Sequence, residues 1–311
     1  MKRLILVVLF GFCASLAGAQ GLELPPIFAS GMVLQQQAGV ELWGKARPGA
    51  RVRVRASWTK ARPETVADDR GRWSVSLRTP EAGYESRTLT VESGRERLEL
   101  TYVLIGDVWF VGGQSNMQMS FRGNPDLFRV ENGYALAPSD TLRIDGSWGP
   151  ADPEHVKEFS VVGYVFGEKI HEVTGIPIGL VQSAHGGSTA EAWLDRTVLE
   201  RFGGFDLELT PAKTDPVWYA VLPTVLYNRM LAPLLPMSVK GVIWYQGESN
   251  VTRPRQYREL FTQLIESWRD YFRNPKMPFY FVQIAPYEHQ GANSAELREA
   301  QLEVMRTVPD T

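Results

Sequence analysis

Between Leu24 and Tyr102 apolar and polar residues alternate with the period of two that a half-buried strand requires. Arg51-Val52-Arg53-Val54-Arg55-Ala56 and Trp73-Ser74-Val75-Ser76-Leu77 alternate strictly. Asp69-Arg70-Gly71-Arg72 is a turn signal between such runs, and Gly94 separates Thr88–Glu92 from Leu98–Val103. Short strands at this spacing predict a small antiparallel β-sandwich.

From Ile105 the pattern changes to continuous apolar runs, as in a sheet covered on both faces. Val108-Trp109-Phe110-Val111 ends in Gly112-Gly113, Ile178-Gly179-Leu180-Val181 ends in Gln182-Ser183, and Gly241 to Tyr245 ends in Gln246-Gly247. Phe279 to Ala285 is a fourth run. Between them Glu154–Val173 and Arg255–Phe272 carry apolar residues at helical spacing, the first stopping at Gly175 and Pro177. This alternation predicts an α/β domain, a parallel sheet with helices on both sides, whose ligand site lies at the carboxyl ends of the strands.

A chain of 311 residues accommodates two domains, and a net charge of −2 with mixed signs argues against nucleic acid or an anionic membrane as partner. Lys2 and Arg3, the apolar run Leu4–Leu16 and Ala17-Gly18-Ala19 read as an export signal cut after Ala19. The run is short for a bilayer span, and no later segment reads as transmembrane. The single cysteine, Cys13, lies inside that signal, so the mature chain is expected to be exported without disulfides, periplasmic or secreted. No metal or other cofactor is expected.

Three strand-end runs carry candidate chemistry. In Gly113-Gln114-Ser115-Asn116-Met117 a serine follows a buried strand, where it is exposed and flanked by free backbone N–H groups; a cap or turn residue is the plainer reading of the local pattern. In His185-Gly186-Gly187-Ser188 the glycine pair either presents an N–H to a ligand or only forms a loop, and His185 reads as a surface or site-lining histidine. In Gln246-Gly247-Glu248 the carboxamide can donate to an oxyanion, and Glu248 can hold the loop. Asn116, His185, Trp193 and Glu248 are the candidates to line a substrate; Trp193, just after the glycine pair, is the better stacking candidate than Trp109, Trp244 or Trp268, which sit within apolar runs.

Together these runs resemble the sialate O-acetylesterase family, a branch of the SGNH (GDSL-like) hydrolases. Gly31-Met32-Val33-Leu34-Gln35, Val40 to Gly44, Gly71-Arg72-Trp73, Gly106-Asp107-Val108-Trp109, Tyr227 to Met230, Gly241 to Asn250 and Leu297 to Gln301 extend the likeness from about residue 24 onward. It implies a three-layer, flavodoxin-like SGNH domain over residues 104–311, after a β-sandwich over 20–103 and the signal over 1–19. It also implies an acetylated sugar as substrate, Ser115 as nucleophile, and an oxyanion held by the Ser115 N–H, an N–H of Gly186 or Gly187, and the Gln246 side chain. His185 and Arg229 depart from the residues common in close relatives, Trp and Gly, which bears on specificity more than on reaction type.

The family's base comes from an Asp-x-x-His motif C-terminal to the segment matched by Leu297–Gln301. The expectation is that the protein continues past Thr311 into that motif, and that the 311-residue chain alone has little serine-dependent activity. Asp152-Pro153-Glu154-His155 has the spacing but falls at a helix start, where Asp152 reads as an N-cap. Rival readings are an esterase of acetylated xylan and a non-catalytic glycan-binding relative.

Overall fold

The computed structural model describes residues 21–122, 146–209, 219–289 and 291–311. The export signal therefore lies outside the described residues, as do residues 210–218. The strands are β1 (Val33–Gln35), β2 (Gly39–Lys45), β3 (Arg51–Ala56), β4 (Glu64–Val66), β5 (Arg72–Arg78), β6 (Gly83–Ser93), β7 (Glu96–Gly113), β8 (Ile178–Ala184), β9 (Gly241–Tyr245) and β10 (Phe279–Phe281).

In the N-terminal half the alternation is realised as strand faces: Val52, Val54 and Ala56 of β3 and Trp73, Val75 and Leu77 of β5 are buried, and the arginines and serines between them face outward. β5 pairs antiparallel with β2, while β4, β3, β6 and the first half of β7 form an antiparallel run. The inward residues of both groups share one apolar cluster.

In the second half β8, β7, β9 and β10 are parallel, with β7 between β8 and β9. Successive residues point to opposite faces, so Val108 and Phe110 pack with Val242, Trp244 and the helices Pro254–Tyr271 and Ala295–Thr307. Trp109 and Val111 pack on the other face with Ile243 and with Val162 and Phe166 of the helix Val161–Thr174. Helices thus cover both faces, which is why the strands are apolar throughout.

The boundary expected at residue 103 falls inside β7, which pairs with β6 in one half and with β8 and β9 in the other. At the crossing β1 pairs parallel with Leu104–Gly106. The buried Asp107 carboxylate accepts from the Gln35 and Gln36 side chains, each at 3.0 Å, and Gln35 Oε1 accepts the Val108 N–H at 2.9 Å. The strand that leads to the serine is thus tied down at Asp107 and Val108.

The expected helix Glu154–Val173 is two pieces, Pro153–Val156 and Val161–Thr174. Ser160 interrupts it: its hydroxyl caps the Gly163 N–H at 3.0 Å and its own N–H donates to Gln182 Oε1 at 2.8 Å. Val173 is left exposed, while Gly175, in the left-handed region, ends the helix as expected. Asp152 does cap its helix, accepting the N–H groups of Glu154 and His155, and it also binds the His155 ring at 2.7 Å. That Asp-x-x-His pair is closed on itself. Further along, Asp195 caps the helix Arg196–Phe202, and Tyr219–Val221 is a 3-10 turn. Among the described residues no helix is long and apolar enough to cross a membrane.

Candidate active site

The three strand-end runs meet. Gly113, the last residue of β7, pairs with Ala184 of β8 and Tyr245 of β9. Its carbonyl accepts the His185 N–H at 2.9 Å, and the next N–H, of Gln114, donates to the Tyr245 carbonyl at 2.9 Å. Gly113 has φ 141°, and a Cβ there would lie 2.2 Å from the Tyr245 oxygen, so only glycine lets the strand end so close to its neighbour.

Ser115 opens the four-residue helical turn Ser115–Gln118, which the fully buried Met117 anchors beneath it. Gln114 precedes the turn without a side-chain cap; instead its Oε1 accepts the Gly247 N–H at 3.3 Å across the site. Ser115 is half-buried, and among the described residues neither its N–H nor its Oγ has a hydrogen-bond partner. Asn116 turns to the third loop, donating from Nδ2 to Glu248 Oε1 at 2.7 Å.

Gly186 and Gly187 have no backbone N–H partner among the described residues, and Gly187 adopts φ 68°. His185, however, is buried rather than on the surface, and both ring nitrogens are engaged: Nδ1 donates to the Gly186 carbonyl at 2.9 Å, and Nε2 lies 2.6 Å from the Tyr219 hydroxyl. The Gly186 carbonyl can only accept, so the proton sits on Nδ1 and Nε2 accepts from tyrosine. Burial lowers the histidine's pKa, keeping it neutral, and pushes Tyr219 up to about 12. His185 supports the glycine loop.

Two expectations require correction. Gln246 is fully buried and its Nε2 donates to the Ser188 carbonyl at 3.0 Å and to Asn250 Oδ1 at 2.8 Å. Asn250 Oδ1 also takes the Ala190 N–H, and Asn250 Nδ2 donates to the Glu191 carboxylate, which fixes both amides' orientations. Both Gln246 amide hydrogens are therefore committed, leaving none for an oxyanion. Trp193, expected at the substrate, is fully buried between Trp244 and Trp268, with Nε1 donating to Ser188 Oγ at 3.0 Å. A ring packed on its faces and edges cannot stack on a sugar.

Glu248, expected to hold the loop through backbone N–H groups, has its carboxylate bound by the Asn116 side chain, and its carbonyl accepts the Tyr287 hydroxyl at 2.6 Å. Burial raises its pKa above the usual carboxylate range, and Oε2 is buried without a partner. Arg229 lines a cavity of about 190 Å³ with Trp148, Gln182 and Ser183, to which Ser115 does not contribute. Sequence reasoning missed Glu191, Asn250 and Arg253; a charged Glu191 beside the apolar Ala192-Trp193-Leu194 was the available signal. Among the described residues no group of three or more His, Asp or Glu is arranged to hold a metal.

Comparison with known proteins bears on this arrangement. Residues 105–310 match the family described as carbohydrate esterase, sialic acid-specific acetylesterase. The sialate O-acetylesterases of Homo sapiens and Pongo abelii are each 31% identical over 298 residues, covering 82% of this chain and 55% of the relative. The Mus musculus protein is 31% identical over 317 residues, with 59% of its length covered. The chain thus spans little more than half the length of these relatives. Among solved structures, a carbohydrate acetylesterase from Xanthomonas citri is 35% identical, with a TM-score of 0.79 over 93% of this chain and 67% of that one. The chain belongs to the sialic acid-specific acetylesterase family of carbohydrate esterases.

Proposed function

We propose that this chain carries the nucleophile of an exported serine esterase that removes O-acetyl groups from sialic acids or related acetylated sugars. The observation behind the reading is the free Ser115 hydroxyl at a helix start, beside unpartnered N–H groups of Ser115 and of the Gly186-Gly187 pair. Ser115 Oγ attacks the acetyl carbonyl carbon as its proton passes to a base; the oxyanion is held by backbone N–H groups; collapse expels the sugar hydroxyl and leaves an acetyl-enzyme, which water hydrolyses. Gln246 serves by holding the loops. The family likeness implies a histidine of an Asp-x-x-His segment as the base. The relatives' names support the acetylated-sugar substrate, and the broader wording covers acetylated xylan. Residues 1–19 act as the export signal, and the β-rich N-terminal half acts as a sandwich that shares β7 with the esterase half and steadies it.

The test is acetate release by the full-length protein from O-acetylated sialic acid and from acetylated xylan, with Ser115→Ala as control. Turnover lost in that variant is expected. Glycan binding with no acetate released, unchanged by Ser115→Ala, would instead mark a binding protein.

A further inference from the structure

We propose that Glu191 is a positioning residue that sets the oxyanion donors through Asn250, an inference resting on the esterase reading above. Glu191 is 3% exposed, yet it is a carboxylate with two donors aimed at it: Arg253 Nη2 at 2.6 Å on Oε1 and Asn250 Nδ2 at 3.0 Å on Oε2. A buried carboxylate is costly unless it is paired and hydrogen-bonded, and here it meets both conditions. Because the carboxylate only accepts, it dictates which end of the Asn250 amide faces it. Asn250 Oδ1 is then turned to the Ala190 N–H and to Gln246 Nε2, and the second Gln246 hydrogen reaches the Ser188 carbonyl.

The chain of bonds pins residues 188, 190 and 191, directly after Gly186-Gly187, to residues 246, 250 and 253, directly after β9. Gly247 in turn donates to Gln114 beside Ser115. The separation between the glycine N–H groups and the serine is thus fixed by polar contacts spanning two loops, and one orientation, set at Glu191, is consistent with all of them. The Gln246 carbonyl, held by the Tyr257 hydroxyl and Gln301 Nε2, anchors the far end.

The test uses the full-length protein. Glu191→Gln places an amide where two donors converge, so one donor must face another or Asn250 must reverse and confront the Ala190 and Gln246 N–H groups. The expected result is a fall in kcat of about tenfold or more with KM within about twofold, because donors displaced by a fraction of an ångström weaken transition-state binding more than substrate binding. Adding Asn250→Asp restores an acceptor toward all three N–H donors, and the double variant should recover at least about fivefold of the lost kcat. An unchanged kcat in Glu191→Gln, a matching rise in KM, or no recovery in the double variant overturns the assignment. Should Glu191→Gln not fold, Arg253→Gln decides from the exposed end: a kcat-only loss of about threefold or more supports the proposal, and an unchanged kcat overturns it. A wild-type protein without Ser115-dependent turnover sinks the esterase reading itself, an outcome distinct from active wild type with indifferent variants.

Discussion

Replacing Gly113 by alanine tests whether the strand end places Ser115. The added Cβ would sit 2.2 Å from the Tyr245 oxygen, 2.8 Å from its carbonyl carbon and 2.9 Å from its nitrogen. All three are backbone atoms of a parallel neighbour and cannot swing away. Reaching even 3.0 Å from the oxygen requires a shift of 3.0 − 2.2 = 0.8 Å. Overpacking of this kind costs about 1–3 kcal/mol, and holding alanine at a φ that only glycine favours costs about 1–3 kcal/mol more. Together these come to about 2–6 kcal/mol, and at roughly 2–4 °C per kcal/mol the melting temperature should fall by about 4–24 °C. The larger effect should be kinetic. Ser115 is two residues on, and a displacement near 1 Å at a reacting centre can cost on the order of 100-fold in rate.

Gly94→Ala is the matched control. Gly94 has φ 60°, nothing lies within 4 Å of a Cβ there, and it sits in the β6–β7 turn. It should lose about 1–2 kcal/mol and no activity. Thermal melts and acetate-release kinetics on the full-length protein read both quantities. If Gly113→Ala keeps kcat/KM within about threefold of wild type while melting lower, the β7 terminus does not place the reacting group, and the kinetic reasoning fails.

Trp193→Ala should destabilise by about 3–5 kcal/mol with a lower melting temperature; a raised KM with unchanged stability would instead restore its expected role at the sugar. Glu248→Gln should raise stability at neutral pH and not in acid: burial raises the folded-state pKa, so the glutamate's stabilising contribution is full below its unfolded value and is lost as pH climbs through the folded one. Equal melting shifts at both pH values would refute that. His185 behaves oppositely, its folded pKa being lowered, so stability should fall as pH drops below the ordinary histidine value through the folded one. His185→Asn should flatten that loss in urea midpoints measured from about pH 7 to about pH 5.

What could be read in the sequence was what periodicity and punctuation record. Arg51–Ala56 and Trp73–Leu77 alternate because one face of each is buried, and the runs ending at Gly113, Ser183 and Gly247 showed where a covered sheet opens. The helix break at Ser160 was hidden because the apolar spacing continues across it, and a cap is decided by where one hydroxyl turns. The strand Glu96–Gly113 hid the joint between the two halves, because its alternating first part and apolar second part are one element with different neighbours. Trp193 was misjudged for the same reason as Gln246. The rings and carbonyls around them come from positions such as Trp244, Trp268 and Ser188, and no local pattern specifies contacts so distant along the chain.

On the esterase reading proposed above, the Gln246 network also explains why backbone groups would suit the oxyanion. For Gln246 to donate, Nε2 would have to release the buried Ser188 carbonyl, at about 1–3 kcal/mol for an acceptor left unsatisfied, or give up its bond to Asn250 Oδ1, which would keep only the Ala190 N–H. That cost would be incurred at every turnover and would offset much of what one oxyanion donor contributes, about 2.7–4 kcal/mol. The N–H groups of Ser115 and the glycine pair have no bond to break first. A donor that must leave a partner is poorly preorganised; one already vacant at a strand end is not, provided its loop is held still. Holding it still is what the amides of Gln246 and Asn250 are placed to do, so the carboxamide near the serine contributes through rigidity in place of contact.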